Sequence, residues 1–333
     1  MSSRRTTAVI PTFNRKAYLA RAIRSILEQD VQVDEIVVVD DGSTDGTADM
    51  LRSDFPQVRA ISQPNSGVSA ARQKGVEAAT GDWIAFLDSD DLWTPGRMRS
   101  LSNAIDAVPA DVDWIFGDTR IVQDGGRGPT LFAEYGLEVT GDPTVLDDPL
   151  ISQFPFQFSL LQSSLIRRTA LLAAGGFSDG LRSSEDFLLG FRMAVSGRMA
   201  VTPTIVTELY RTSDLAASSL DGGGRRKPDY YRARVLAFEA AITAGCAGPW
   251  RARREDAIRG WCLALHADGQ TVGRLPWRQL QGGGSPKALA FFLASLGGRT
   301  GIDLWNRLSS RRRRTDQRFI LEHSAEHTSP PFQ

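Results

Sequence analysis

Gly81-Asp-Trp-Ile-Ala-Phe-Leu-Asp-Ser-Asp-Asp-Leu-Trp-Thr-Pro95 is the stretch on which the reading of this chain turns. Trp83 to Leu87 is an unbroken apolar run of strand length, the pattern of a central strand covered on both faces. Asp88, Asp90 and Asp91 follow within four positions, at the carboxyl end of that strand. In a doubly wound α/β sheet this is the edge where ligands bind. Carboxylates this close repel, and one is driven toward its protonated form unless a cation or solvent intervenes. A hard divalent ion such as Mg²⁺ or Mn²⁺ relieves that repulsion, particularly when phosphate oxygens and water complete its shell. An acidic surface turn uses the same residue types, so the cluster takes its meaning from its companions.

On the amino-terminal side, strands and helices alternate. Strands are expected over 7–10, 35–39 and 58–61, and helices over 16–29, 47–52 and 68–79, with Asn14 capping the first helix. This alternation is that of a layered α/β domain. Pro11-Thr-Phe-Asn stands where a dinucleotide-binding glycine fingerprint would follow the first strand, and no Walker P-loop is present. On the carboxyl side, a helix is expected over 95–108 and an interrupted strand over 114–116 and 119–122. A turn or mobile loop is expected over 124–129, and mostly loop over 131–158, where Phe154-Pro-Phe-Gln-Phe158 offers an aromatic acceptor wall or a packed loop. A strand over 164–167, a helix over 169–174, a helix starting at Ser184-Glu-Asp186 and one or two strands over 199–210 complete this part.

Composition changes through Ser218-Ser219 and Gly222-Gly-Gly224, which puts a boundary near 212–228. The expected organisation is a first domain over 1–215, a helical extension over 228–310 and a flexible tail over 311–333. Within the extension, helices are expected over 229–244, 252–266, 286–296 and 300–308, with a glycine hinge at 282–284. The 333 residues are 41% hydrophobic and 23% charged, as in an ordinary folded soluble protein. A formal net charge of zero gives no argument for nucleic-acid binding. Basic groups at Arg225-Arg-Lys227, Arg251 to Arg254 and Arg311 to Arg314 favour an anionic surface. Two cysteines, Cys246 and Cys262, are too few for a disulfide framework, and His266, His323 and His327 show no ligand-like arrangement. No signal-peptide core and no apolar run of membrane-spanning length occurs, so a cytoplasmic location is expected, with peripheral contact at the inner face of the membrane left open.

Other residues carry potential chemistry. Asp40-Asp41 ends the second expected strand, where an aspartate can accept from the N–H of a pyrimidine base or from ribose hydroxyls, and Gly42 lets the backbone turn beneath the ring. The fork of Arg72 suits either a phosphate or a carboxylate such as Asp41 or Asp90. Glu185-Asp186 opens an amphipathic helix. Activating a hydroxyl requires a carboxylate within hydrogen-bond reach, and neighbours along a helix do not face one way. One of the pair therefore faces substrate and the other orients structure, unless both simply cap the helix. Trp93 is read as packing its loop.

Pro11-Thr-Phe-Asn-Arg15, Asp40-Asp-Gly-Ser-Thr-Asp-Gly-Thr47, Asn65-x-Gly-x-Ser-x-Ala-Ala-Arg72, Phe86-Leu-Asp-Ser-Asp-Asp91 and Glu185-Asp186 occur in this order. Together they resemble family 2 inverting glycosyltransferases of the GT-A fold, over about residues 6–212. The resemblance implies a Rossmann-like mixed α/β sheet flanked by helices. It implies that Pro11 lines the base pocket, Asp41 reads uracil or another base, and Arg72 helps fix the nucleotide end. Asp90 would be the principal ligand of Mn²⁺ or Mg²⁺, Asp88 would lie near the ribose or a metal-bound water, and Asp186 would be the general base. Gln73 stands where the family often has asparagine.

The Gln-x-x-Arg-Trp motif of processive members is missing, which favours single additions. The implied activity is sugar transfer from a nucleoside diphosphate sugar, with UDP favoured, to a hydroxyl of a saccharide, glycolipid or glycan acceptor. A homo-oligomer and an anionic membrane remain as partners of the extension. The alternatives are a sugar-phosphate nucleotidyltransferase, disfavoured because no glycine- and arginine-rich activation loop follows the first strand, and a non-catalytic nucleotide-sugar-binding protein, disfavoured because Asp90 and Asp186 are both present.

Overall fold

A computed structural model describes residues 4–123, 126–153, 157, 159–177, 180–211, 228–246 and 248–267. The chain divides into two units, Met1–Gly222 and Gly223–Gln333. The first begins with β1 (Thr6–Thr12), α1 (Lys16–Leu27), β2 (Glu35–Asp40), α2 (Thr47–Asp54), β3 (Arg59–Ser62), α3 (Val68–Ala78) and β4 (Trp83–Phe86). It continues with β5 (Leu92–Trp93), α4 (Arg97–Ala107), β6 (Val112–Gln123), β7 (Gly126–Thr130), a short α5 (Leu131–Glu134), β8 (Thr144–Val145), β9 (Ser164–Arg167), α6 (Arg168–Ala173), α7 (Glu185–Ser196) and β10 (Arg198–Arg211).

These strands form one mixed sheet in the order β3-β2-β1-β4-β9-β6-β10-β5, with β7 beside β6 and β8 beside β10. β3, β2, β1 and β4 run parallel, so their carboxyl ends share one edge. β9 runs antiparallel between β4 and β6, and β10 runs parallel to β6. β2 shows why the apolar runs lack alternation. Ile36 and Val38 join the core formed with Leu19, Ile23 and Ile26 of α1, whereas Val37 and Val39 pack with Ala71 of α3 on the other face. Both faces are covered, so both sets of side chains are apolar. A Cβ on Gly75 would come within 2.3 Å of Val9 Cγ1, so glycine lets α3 lie close on the sheet.

Three expectations need correction. Asn14 does not cap α1: Arg15 is the N-cap residue, and the Asn14 side chain instead accepts from the Thr44 N–H at 2.8 Å. The interrupted strand is the continuous β6, and the expected turn over 124–129 contains β7, an edge strand where Pro129 costs no interior ladder bond. The second unit shows α8 (Pro228–Thr243) and α9 (Trp250–Ala267), which pack on one another with Phe238 stacked on Trp250 at 5.8 Å. The boundary stretch 212–227, the aromatic stretch 154–158 apart from Gln157, and everything expected beyond 267 lie outside the described residues.

Candidate active site

The carboxyl edge of β1, β2 and β4 gathers the acidic motifs because parallel strands deliver their ends to one side. Asp41, just past β2, is buried. Its Oδ1 accepts from Gln63 Nε2 and the Ser66 N–H, and its Oδ2 from the Gly67 N–H, all at 2.8 Å. Asp41 thus fixes the loop that leads into α3. Pro11 is buried within β1, in register with Val39.

Arg72, one turn into α3, joins the two ends of the site. Its Nη2 donates to Asp88 Oδ1 at 2.6 Å, and its Nη1 pairs with Glu185 Oε1 at the start of α7. Asp88 and Glu185 were not the carboxylates expected for it. Burial opposes the arginine's charge, yet the carboxylates of Asp88, Glu185 and Asp186 hold it more firmly protonated than an ordinary guanidinium. Its Nε is buried without a hydrogen-bond partner. One guanidinium shared by the buried Glu185 and the half-buried Asp88 does not satisfy both equally. Burial works to raise Asp88, but Arg72 and the Gln162 amide outweigh it and keep the carboxyl below its usual value. Glu185 receives less: burial, only partly offset by Arg72 and reinforced by the Asp186 charge, pushes it up to about 6.

No local pattern marks Gln162, whose Nε2 donates to Asp88 Oδ2. Its own carbonyl is held by Arg97 Nη1 at 2.6 Å and by Thr207 Oγ1 at 2.7 Å. Arg97 is fully buried, stacks over Trp93 at 4.4 Å and also donates to the Ser164 carbonyl and Thr207 Oγ1, while its Nε has no hydrogen-bond partner. Burial drives its guanidinium down to about 9. Nothing in the local pattern around Arg97 distinguishes it from a surface arginine at the start of a helix, and only its long-range partners reveal that it fixes the turn carrying Gln162. Trp93 packs, as expected, at 3% exposure.

Asp90 and Asp91 differ in surroundings. Asp90 Oδ2 pairs with Arg15. Asp91 Oδ1 accepts from the Tyr210 N–H at 2.9 Å and lies 3.9 Å from Arg211. Burial first, then the charges of Asp90 and Asp88, raise the Asp91 carboxyl well above its usual value. At the far side of the site, Asp186 Oδ1 accepts from the Phe187 N–H at 2.8 Å, while the rest of the side chain is half-buried. Its charge acts on both Arg72 and Glu185, so the acid pair at α7 and the acids after β4 share one electrostatic neighbourhood. Further contacts from α3 reach the segment before α7. Ser69 Oγ donates to the Leu181 carbonyl, and Gln73 Oε1 accepts from the Phe177 N–H at 2.9 Å.

Two carboxylates, Asp88 and Asp90, provide hard oxygen donors of the kind Mg²⁺ and Mn²⁺ take, usually alongside phosphate and water. Among the described residues no group of three His, Cys, Asp or Glu side chains is arranged to hold a metal. Asp90 has one oxygen, Oδ1, outside its pairing with Arg15, whereas both oxygens of Asp88 already accept from Arg72 and Gln162.

Residues 7–163 match the family model described as Glycosyl transferase family 2. The succinoglycan biosynthesis protein ExoO of Rhizobium meliloti is 33% identical over 204 residues, 60% of this chain and 58% of its own. The GalNAc(5)-diNAcBac-PP-undecaprenol beta-1,3-glucosyltransferase of Campylobacter jejuni is 31% identical over 166 residues, 48% of this chain and 52% of its own. The chain thus spans little more than half the length of these relatives. The crystal structure of S. aureus TarS 1-349 in complex with UDP-GlcNAc aligns over 91% of this chain and 92% of that one, with a TM-score of 0.60 and 18% identity, a likeness of fold. The motifs stand after β1, β2 and β4 and at the starts of α3 and α7, and with the match over residues 7–163 and the likeness of fold they make the chain similar to family 2 glycosyltransferases of the GT-A fold.

Proposed function

We propose that the chain is a metal-dependent inverting glycosyltransferase, transferring a sugar from a nucleoside diphosphate sugar, UDP-linked by preference, to an acceptor hydroxyl in polysaccharide, glycolipid or glycan biosynthesis. The observation that carries this reading is the Arg72 bridge, which ties Asp88 after β4 to the helix that bears Asp186. Donor acids and a proton acceptor then serve one reaction. The names of the ExoO and undecaprenol-linked relatives favour glycan assembly, and the UDP-GlcNAc complex of TarS favours a UDP-sugar.

In this reading Pro11 and the adjoining backbone line the base pocket. Asp41 accepts three protein hydrogen bonds, which leaves one of about four carboxylate lone-pair positions for a base N–H. Asp90 holds the divalent ion, Mn²⁺ or Mg²⁺, with Asp88 beside the ribose or a bound water. That ion supplies neutralisation of the charge that grows on the departing diphosphate. Arg72 acts at the nucleotide end through Asp88. Asp186, with Oδ1 fixed by the Phe187 N–H, takes the acceptor proton on its carboxylate as the hydroxyl oxygen attacks the anomeric carbon from the opposite face. One displacement inverts that carbon, and no covalent sugar intermediate is needed, unlike the two-step route of retaining glycosidases.

Residues 1–215 would carry catalysis and 228–310 would join copies of the chain. No described helix is long and apolar enough to cross a membrane. We place the protein in the cytoplasm with peripheral contact through basic groups such as the exposed Arg251 and Arg253. Stronger binding to anionic than to neutral liposomes at low salt is expected, and equal binding contradicts that contact. The activity itself is tested by screening nucleotide sugars for hydrolysis and transfer with Mn²⁺ or Mg²⁺. Turnover of a UDP-sugar that is lost on chelation and in Asp90→Asn supports the proposal; turnover indifferent to both refutes metal dependence.

A further inference from the structure

Gln162 holds Asp88 with one end of its amide, and its place follows from strand direction. β9 is antiparallel to β4, so it begins at the edge where β4 ends. The register Trp83↔Arg167 and Ile84↔Ile166, continued past the paired residues, sets Gln162 opposite Asp88. The residue lies in a short 3₁₀ turn, Leu161–Ser163, whose backbone is clamped. The Gln162 carbonyl accepts from Arg97 Nη1 at 2.6 Å and from Thr207 Oγ1 at 2.7 Å, and the Ser164 carbonyl accepts from Arg97 Nη2 at 2.9 Å. The Ser163 N–H donates to the Leu160 carbonyl at 3.2 Å.

A fixed backbone leaves the amide few orientations, and Asp88 selects among them. An ionised carboxylate only accepts, so the Nε2 end faces Asp88 Oδ2 and Oε1 is turned away from it. Among the described residues none donates to Oε1. The side chain is half-buried, and Oε1 is not one of the buried atoms that lack a partner, so it is open to solvent. An oriented acceptor with two lone pairs thus stands beside the acids after β4.

Sheet order tells which part of a donor reaches it. Along β2-β1-β4-β9, the proposed binding mode puts the base at Asp41 after β2, and the ribose and cation at Asp88 and Asp90 after β4. Gln162, just before β9, is one strand farther in the same direction, where the group carried beyond the diphosphate would lie. A sugar hydroxyl has the proton that an amide oxygen accepts.

We propose that Gln162 is a donor-binding residue whose Oε1 accepts a hydrogen bond from a hydroxyl of the transferred sugar. This rests on the reading of the chain as a transferase that binds a nucleoside diphosphate sugar with its base at Asp41. Gln162 then bears on which sugar is accepted, and leaves the choice of nucleotide to the β1 and β2 side.

The test is calorimetric binding to the full chain, with Mn²⁺ present, of UDP, UDP-glucose, UDP-galactose and UDP-N-acetylglucosamine, for the wild type, Gln162→Met and Gln162→Asn. Methionine keeps the length without the amide, and asparagine keeps the amide but falls short. Because Arg72 still holds Asp88, both variants should bind UDP within about twofold of the wild type. Both should bind the preferred UDP-sugar about fivefold less tightly, the size of one ordinary hydrogen bond. Monodeoxy forms of that UDP-sugar locate the contact. The wild type should lose about fivefold for one of them, and for that donor the variants should lose nothing further.

Unchanged affinity of both variants for the UDP-sugar overturns the contact. So do equal losses for UDP and the UDP-sugar in a folded variant, which would put Gln162 at the nucleotide instead. The deoxy series on the wild type needs no variant, and every deoxy donor bound as tightly as its parent overturns the contact as well. If the wild type binds neither UDP nor a UDP-sugar with Mn²⁺, the donor reading itself fails; if it binds both and the variants follow it, only the contact at Gln162 fails.

Discussion

From Thr6 to Phe86 the first unit is a run of parallel strands in which β1, β2 and β4 are buried and β3 is the exposed edge, and from Val112 to Arg211 it is a longer, mixed arrangement with register shifts along β10. In the earlier region the site acids follow from chain direction. Asp40, Asp41, Asp88 and Asp90 stand at or just beyond strand ends, and parallel pairing brings those ends to one edge. In the later region position depends on partners far away in sequence. Glu185 is held by Arg72, Leu181 by Ser69, Phe177 by Gln73, and the Gln162 turn by Arg97. Local patterning therefore builds the donor side, whereas long-range polar contacts from α3 and α4 fix the side that would activate the acceptor.

The comparison breaks most visibly at Asp186. Asp186→Asn keeps the shape of the carboxylate but cannot take a proton, so transfer should fall roughly a hundred- to ten-thousandfold while UDP affinity holds. Single-turnover transfer and calorimetric UDP binding check this, and equal losses in both would make Asp186 a donor-side residue. Next in size is Arg72→Met, which strands the buried carboxylate of Glu185 and takes one partner from the half-buried Asp88. Chemical unfolding should show a loss of about 3–5 kcal/mol. A loss below 1 kcal/mol, the level of an exposed pair, would mean that α7 is held by other means.

A pH series sharpens the contrast between the two acids that share Arg72. Glu185, pushed up to about 6 from an ordinary 4.5, binds more protons when folded than when unfolded between those values. Its contribution is fully present below pH 4.5 and is lost as pH rises through about 6. Relative to Glu185→Gln, the wild type should lose about 2 kcal/mol across that window, and parallel stability curves would contradict the assignment. The Asp88 contribution has the opposite sign, being lost as pH falls below its ordinary range. The smallest expected effect belongs to Gln162→Leu, which removes one hydrogen bond to Asp88 for about 1 kcal/mol. Differential scanning calorimetry should detect it, and no change would demote Gln162 to a passive neighbour.

These differences also mark how far the chain could be read unaided. The alternation of β1 through β4 was legible because β1, β2 and β4 carry unbroken apolar runs and the helices between them show a 3.6-residue stripe. The strand β9 was legible over 164–167, where Leu165-Ile166 stands between Ser164 and Arg167. The continuity of β6 was hidden by Gly117, which reads as a break. There a Cβ would come within 2.7 Å of the Thr204 carbonyl, so the glycine admits the irregular crossing of β10 without ending the strand. β7 was hidden because Gly-Arg-Gly-Pro-Thr has turn composition, and only pairing with β6 makes it a strand. Asn14 looked like a helix cap because its residue type favours caps, but a tertiary bond to Thr44 claims its side chain. For the site, residue types and motif order pointed to Asp88, Asp90, Asp41 and Asp186, but not to which acid would claim Arg72. That choice is made across 113 residues of sequence, where no local period reaches.

The claim on which the account depends is that one guanidinium joins an acid of the donor edge to an acid of α7. A double-mutant cycle with Asp88→Asn and Glu185→Gln, read by chemical unfolding and repeated in an Arg72→Met background, measures it without knowledge of any substrate. The account predicts a coupling of about 0.5–3 kcal/mol between the two substitutions that vanishes when Arg72 is absent. Additive effects with Arg72 present, or a coupling that persists without it, would contradict the claim.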